Sequence, residues 1–166
     1  MAHFSPAQLA TLKAYILNPA NGMSQWTSGP GTDYGAIAAA MSADAAPAQL
    51  AWRTAVPAGD SDDAPDMSTF DALTAGKRDS WALFLGQSTR DFTRNKARKW
   101  VTDVWGNATA ASNAEAILLA GTENAKRVEA VLGGATRTTG TVSALARNYV
   151  GSMDLAHVAE IFNAPA

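Results

Sequence analysis

The stretch FTRNKARKWVTDVWGN, residues 92–107, places Arg94, Lys96, Arg98 and Lys99 beside Trp100 and Trp105. Cations interleaved with indoles are the residue types that hold an anion such as a nucleic-acid backbone, by ion pairs to phosphate and stacking on bases. Other residues point to chemistry less well. The segment TAGKRD resembles the end of a phosphate-binding loop, but Asp71 replaces the first glycine and Arg78 replaces the magnesium-binding hydroxyl. The run Asp60, Asp62, Asp63 and Asp66 has the flavour of a calcium loop, yet Ala64 and Pro65 occupy a ligand position and the turn glycine position. His3 and His157 are the only histidines and stand far apart in the chain, which argues against zinc or a catalytic triad. GQSTR lacks the closing glycine of a nucleophile elbow. Asn107–Thr109 matches a glycosylation acceptor, which requires a secretory route. A carboxylate pair for glycoside hydrolysis could converge from anywhere, and nothing selects one. No motif names a reaction, and neither catalytic residues nor a cofactor or metal is expected.

The faces of the helices decide how the basic stretch is read. On a helical wheel from Ala97, Trp100, Val101, Val104 and Trp105 fall within roughly 140° of arc. Lys96, Arg98, Lys99, Thr102 and Asp103 take the other side. The tryptophans are therefore expected in the core and the cations outside, with Lys99 paired to Asp103 four residues on. Arg94, Lys96 and Arg98 crowd the first turn, where the helix macrodipole mildly disfavours cations, which hints at an anionic neighbour.

Charge is uneven along the chain. Residues 1–75 hold two basic and seven acidic side chains, 76–106 hold seven and three, and the rest four and five. Such asymmetry favours contact with other copies or with a complementary partner, unless the regions neutralise each other within one fold. A sequence pI near 5.6 and positive charge confined to one segment do not fit a dedicated DNA reader. Non-specific contact with a phosphate backbone stays open. Cysteine is absent, so neither disulfides nor thiolate metal sites are possible. The N-terminus has no secretion signal and no long apolar run occurs, so the expectation is a soluble chain of intracellular origin, without membrane contact.

The elements follow from local signals. Ser5 caps and Pro6 opens a first helix carrying Leu9, Leu12 and Ile16. A long loop covers 18–32, and Asp33 caps an alanine-rich helix over Tyr34–Ser42. Prolines and glycine make residues 57–67 an acidic loop, followed by a helical turn opened by Asp66 or Ser68. GKRDSWALFLGQ gives a helix with Trp81, Phe84 and Leu85 on one side. Ser112 is expected to cap a helix through Leu119 ended by Gly121, and Thr122 to begin another carrying Val128, Val131 and Leu132. TRTTGTVSALARNYVG alternates apolar with polar residues and reads as a strand or hairpin arm. SMDLAHVAEIF closes the chain as a helix with Leu155, Val158, Ile161 and Phe162. The fold class is mainly α: a small helical bundle over 1–135, with an extended or β-hairpin arm and a closing helix over 136–166 in the same domain.

The order SPAQLATLKAYI, GAIAAAMSADAAPAQLAWRTAVP, TFDALTAGKRDSWALFLG, ARKWVTDVWG and AKRVEAVLGG, followed by a threonine-rich arm, resembles a family of short virion morphogenesis proteins of tailed bacteriophages and prophages. The likeness is one of order and spacing along nearly the whole chain, and SMDLAHVAEIF stands where that pattern would have a clearer strand pair. The resemblance implies a structural part of the virion, made in the host cytoplasm. It implies a head–tail connector: an adaptor at the neck that forms a homo-oligomeric ring between portal and tail proteins. A tail-completion role, or a virion-associated hydrolase, is the alternative. Head-to-tail contacts in a ring are heterologous and make use of opposite charges on one subunit. The candidate interface residues are accordingly Trp26, Asp60, Asp62, Asp63, Arg94, Lys96, Arg98, Lys99, Arg137 and Arg147. The acidic loop and the basic 77–99 segment would face other subunits or the DNA passage, and the 136–150 arm would order on assembly by strand addition. For Trp52 and Arg53 the resemblance implies a conspicuous position that packs against the body or anchors a partner, while the residues themselves read as a buried indole beside a snorkelling cation.

Overall fold

The computed structural model describes residues 3–27, 31–106, 111–147, 149 and 151–163. In chain order the helices are α1 (Pro6–Leu17), α2 (Tyr34–Ser42), α3 (Ala58–Asp62), α4 (Ala75–Leu85), α5 (Asn95–Trp105), α6 (Ala111–Ala120), α7 (Arg127–Leu132) and α8 (Leu155–Asn163). The strands are β1 (Leu50–Trp52), β2 (Val56–Pro57), β3 (Thr89–Arg90), β4 (Thr122–Asn124), β5 (Thr136–Thr139) and β6 (Val142–Leu145). Among the described residues helix predominates, at 56% against 13% strand, as the composition leads one to expect. The chain sorts into two compact units, one made of 1–49, 124–134 and 147–166, the other of 50–123 and 135–146. This partition differs from a body over 1–135 with an arm after it. Hydrophobic periodicity marks each apolar stripe but does not say which distant stripe it meets.

The unit containing both termini is helical. Ser5 and Gln8 form a capping box, the Ser5 hydroxyl accepting from Gln8 N at 3.3 Å and the Gln8 amide oxygen from Ser5 N at 2.9 Å. Two orphan amides of the first turn of α1 are thereby satisfied. Leu12 and Ile16 are fully buried, against Ile37 and Met41 of α2, Val128 and Leu132 of α7, and Val158 and Ile161 of α8. Asp33 caps α2 by accepting from Ala36 N at 2.9 Å. The expected loop over 18–32 contains two short 3-10 turns, Pro19–Asn21 and Ser24–Trp26, with Met23 buried between them. Leu155 points outward, so the apolar stripe of α8 is narrower than its spacing implies.

The second unit packs α3, α4, α5 and α6 with most of a four-stranded sheet of order β4-β1-β6-β5. β1 runs parallel to β6, and β5 antiparallel to it. Its core gathers Trp52, Trp81, Phe84, Phe92, Val101, Val104, Trp105, Ile117 and Leu118. Trp81 stacks on Phe84 at 4.8 Å between centroids and meets Trp105 edge-on at 5.3 Å. Trp105 is fully buried, while Trp100 is only half-buried against the same core. The hairpin expected in TRTTGTVSALARNYVG is β5–β6, with Gly140 at φ +58 in the first turn position.

Three local expectations change. Residues 58–62 are a helical turn, because Pro57 precedes it and the next proline lies beyond its end. Thr122 opens β4 and not a helix; α7 begins only at Arg127, where Glu129 accepts from Lys126 N at 2.8 Å. α6 includes Ala111, so Ser112 lies inside the helix and does not cap it. Gly121, expected as a helix terminator, has a second role. A Cβ there would stand 2.4 Å from the Phe92 ring, which is fully buried. Overpacking of a well-filled core costs about 1–3 kcal/mol. Gly121→Ala is therefore expected to lower unfolding free energy by about that amount, measured by urea denaturation, with little change in slope.

Candidate assembly surface

The sequence separates its acidic and basic stretches, but the structure folds both into the second unit. That unit carries nine basic and ten acidic side chains, and the other unit four and five. The asymmetry along the chain is thus cancelled inside one unit, and specific pairs show how. Arg53 Nη1 donates to Asp60 Oδ2 at 2.8 Å and to the Ala120 carbonyl at 3.3 Å. Arg90, 1% exposed, sits 2.7 Å from Asp62 Oδ1, an ion pair off the angle of a hydrogen bond. Asp60 and Asp62, expected to face other subunits, are engaged within the unit. Asp63 is exposed.

Arg90 is the internal anchor of this region. Its Nε and Nη2 both donate to the Phe84 carbonyl, at 3.1 and 2.9 Å. Nη1 donates to the Ala58 carbonyl at 3.0 Å and to the buried Ser61 hydroxyl. The guanidinium also lies 4.4 Å from the centroid of the Phe84 ring. Phe84 belongs to the last turn of α4, where unsatisfied carbonyls favour a cation. A buried charge is tolerated when its donors find acceptors, and Arg90 makes these four hydrogen bonds and has the Asp62 carboxylate beside it.

Arg98 overturns the helical-wheel expectation. Its side chain was to lie on the polar face of α5, and it is 1% exposed. Side chains on a helix lean toward its N-terminus, and a guanidinium long enough to follow that lean reaches the carbonyls before α5. Nη1 donates to the carbonyls of Phe92 and Thr93, and Nε to Thr139 Oγ1 at 3.1 Å on β5. Its Cζ lies 4.9 Å from the Trp52 ring. Burial lowers the Arg98 pKa from the ordinary arginine value, and the nearby charge of Arg137 lowers it further, against an opposite pull from Asp91. Wheel geometry sorts positions by angle and cannot show a long side chain folding back into the core.

The remaining cations behave as surface groups. Arg94 precedes α5 and pairs with Asp91 at 2.9 Å, Lys96 is exposed, and Lys99 pairs with Asp103 at 2.6 Å as its spacing implies. Arg137 is exposed on β5. Arg147 is not a surface group: its side chain is 4% exposed and stands 3.5 Å from Glu129, itself 3% exposed. Trp26 is half-buried against the core of its unit, not a free indole. Trp52 is fully buried and Arg53 reaches past it to Asp60, as the pattern implies. The glycosylation pattern at Asn107 lies outside the described residues.

The hairpin has the most informative backbone. Thr139 faces Val142 across a two-residue turn, and Ala146 N bonds to the Ala135 carbonyl at 3.3 Å. In an antiparallel pair bonded positions alternate, so Arg137 turns its amide and carbonyl toward β6 while Thr136 and Thr138 turn theirs to the outer edge. β5 ends the sheet order. Arg137 and Thr139 share a face with their partners Ala144 and Val142, both buried, and Trp52 Nε1 adds a bond to the Arg137 carbonyl at 3.3 Å. Thr138 and Ser143 hydroxyls pair at 2.7 Å on the other face.

Sequence separation hid one cluster in the unit that holds the termini. The rings of His3 and His157 are 4.4 Å apart. His3 N and Phe4 N donate to Glu160 at 3.1 and 3.3 Å, and His157 N donates to Asp154 Oδ1 at 2.9 Å. Among the described residues no group of three or more histidines and carboxylates is placed to hold a metal ion. The same unit has an open groove of 610 Å³ whose lining includes Tyr15, Asn18, Gln49 and Arg127. No described helix is long and apolar enough to cross a membrane.

Two measurements follow. A double-mutant cycle of Arg90→Met and Asp62→Asn is expected to show a coupling of about 0.5–3 kcal/mol, with Arg90→Met the more costly because it orphans buried acceptors. The Glu160 pKa is lowered, first by the bond from His3 N and then by that from Phe4 N, against the opposing effect of burial. A depressed carboxylate stabilises above its unfolded pKa of about 4.3 and loses that contribution as pH falls through the folded value. Exchange protection of the Phe4 amide is expected to be highest at neutral pH, to weaken on acidification below that range, and to be absent at all pH values in Glu160→Ala, which removes the acceptor. Comparison with protein-family models, with curated proteins and with solved structures finds no match.

Proposed function

We propose that this chain is a structural subunit of a tailed-bacteriophage or prophage virion, a neck adaptor that joins portal to tail as a homo-oligomeric ring. The order and spacing of its segments support the reading. The observation that carries it is β5, a threonine-rich strand with exposed side chains and an outward-turned backbone at the end of a sheet. An adaptor holds its neighbours through surface and backbone contact, and an edge strand supplies both. The fine architecture belongs to the same proposal: a small helical body that offers a β-hairpin to its partners.

Charge enters differently from what the sequence implies. Asp60 and Asp62 are engaged inside the second unit, so the electrostatic side of assembly falls to Asp63, Arg94, Lys96 and Arg137. Surface cations of this kind can also meet the phosphate backbone of packaged DNA without reading its sequence. The reading assigns the chain no catalytic step and no cofactor, and places it in the virion after synthesis in the host cytoplasm.

Native mass measurement of the purified protein, alone and with portal, tests the proposal. The expected result is a closed oligomer or a portal-bound complex, with matching density at the neck of the particle. A chain that stays monomeric with portal present, and is missing from the neck in a particle reconstruction, overturns it. A copy number matching the tail, with density there, moves the assignment to tail completion.

A further inference from the structure

We infer that the outer edge of β5 accepts an extended protein segment carrying a carboxylate, which pairs with Arg137 while its backbone bonds to Thr136 and Thr138. The inference rests on the reading of this hairpin as an assembly surface, and not on which assembly the chain joins.

Several observations converge on that edge. Thr136 and Thr138 direct amide and carbonyl groups outward, which is the ladder a further strand requires. Successive side chains of a strand alternate, so Arg137 leaves β5 on the face of Val142 and Ala144, at the border of the apolar core. It is exposed, and no carboxylate lies within ion-pair distance among the described residues. Its backbone is held by β6 and by Trp52 Nε1, so the position of the cation is fixed by the core. Behind it Arg98 is buried and bonded to Thr139, two residues along the same face. Arg98 has hydroxyl and carbonyl acceptors and an aromatic ring, but no carboxylate within ion-pair distance among the described residues. Two guanidiniums on one face therefore act together. The one nearby carboxylate that opposes Arg98, Asp91, is itself bonded to Arg94.

A buried charge is screened less than a surface one, so the field of Arg98 adds to that of Arg137 at the strand edge. An arriving strand places a side chain directly opposite Arg137, and opposite charges at such positions attract while like charges repel. The combination selects an acidic residue at that register and disfavours a basic one. A protein segment is favoured over a nucleic-acid backbone because it alone satisfies the amides as well as the carbonyls of Thr136 and Thr138. A phosphodiester has acceptors but no donors for the carbonyls.

The test uses the full-length protein and three synthetic seven-residue peptides of alternating Thr and Val, identical except for Glu, Gln or Lys at the centre. Amide exchange and NMR shifts report where each binds. The expected result is binding of the Glu peptide with protection of the Thr136 and Thr138 amides, about fivefold tighter than the Gln peptide and tighter still than the Lys peptide. In Arg137→Glu the order of the Glu and Lys peptides is expected to reverse. Thr138→Pro is expected to abolish binding while leaving the fold intact, since that amide is not bonded to β6. Equal affinity of the three peptides, an unchanged order in Arg137→Glu, or protection of these amides by a single-stranded oligonucleotide but by no peptide would overturn the inference. These outcomes are independent of whether the chain is found at a virion neck.

Discussion

The second unit depends on burying two guanidiniums, each held by several carbonyl, hydroxyl and aromatic partners. An unpaired buried cation costs several kcal/mol, so Arg90 and Arg98 can enter the core only where carbonyls, hydroxyls and aromatic faces converge. Arg90 gathers the end of α4, the start of α3 and Ser61 around one point, and lies against Phe84. Arg98 does the same for the segment before α5, the end of β5 and Trp52. Each acts as a staple between pieces of chain that hydrophobic burial alone would leave free to slide. Moving either group would break several bonds at once, which gives the hairpin and the helical layer of this unit a defined register.

That constraint also explains where the surface charge is found. Arg90 takes Asp62 and so ties the acidic stretch to the basic one, while Asp60 is taken by Arg53 from within the acidic segment itself. Arg98 is withdrawn from the exposed face of α5. The cation left at the sheet border is Arg137, on the strand that ends the sheet among the described residues. The question raised by Arg94, Lys96, Arg98 and Lys99 beside two tryptophans therefore has a divided answer. Trp105 and Arg98 are core, while Lys99 and Arg94 are paired surface groups.

Much of the local structure was legible. Ser5, Pro6 and Asp33 mark their helix starts by hydrogen bonds within a few residues, and Gly140 with alternating Val142 and Ala144 marks the hairpin. These signals are short-range, and nothing distant competes with them. The acidic helix at Ala58–Asp62 was missed because it is held by Arg90, far along the chain. β1 and β4 are three residues each and exist through pairing with distant partners, so no periodicity could announce them. His3 and His157 meet because α8 returns to the N-terminus, which their spacing conceals. Charged residues are the least legible: chemistry alone points Arg98, Arg147 and Asp62 to surfaces, and the structure buries the two arginine side chains and turns the carboxylate inward. A charge can sit inside whenever its partners come from elsewhere, and that information is tertiary.

The division of the arginines into internal staples and surface cations is best tested by hydrogen exchange of the arginine Nε protons, assigned by NMR in the folded protein near neutral pH. The account predicts slow exchange for Arg90 and Arg98, whose Nε protons bond to the Phe84 carbonyl and to Thr139, and solvent-like rates for Arg137. Arg98 exchanging as fast as Arg137 would contradict it, because the guanidinium would then be outside the core it is claimed to hold together.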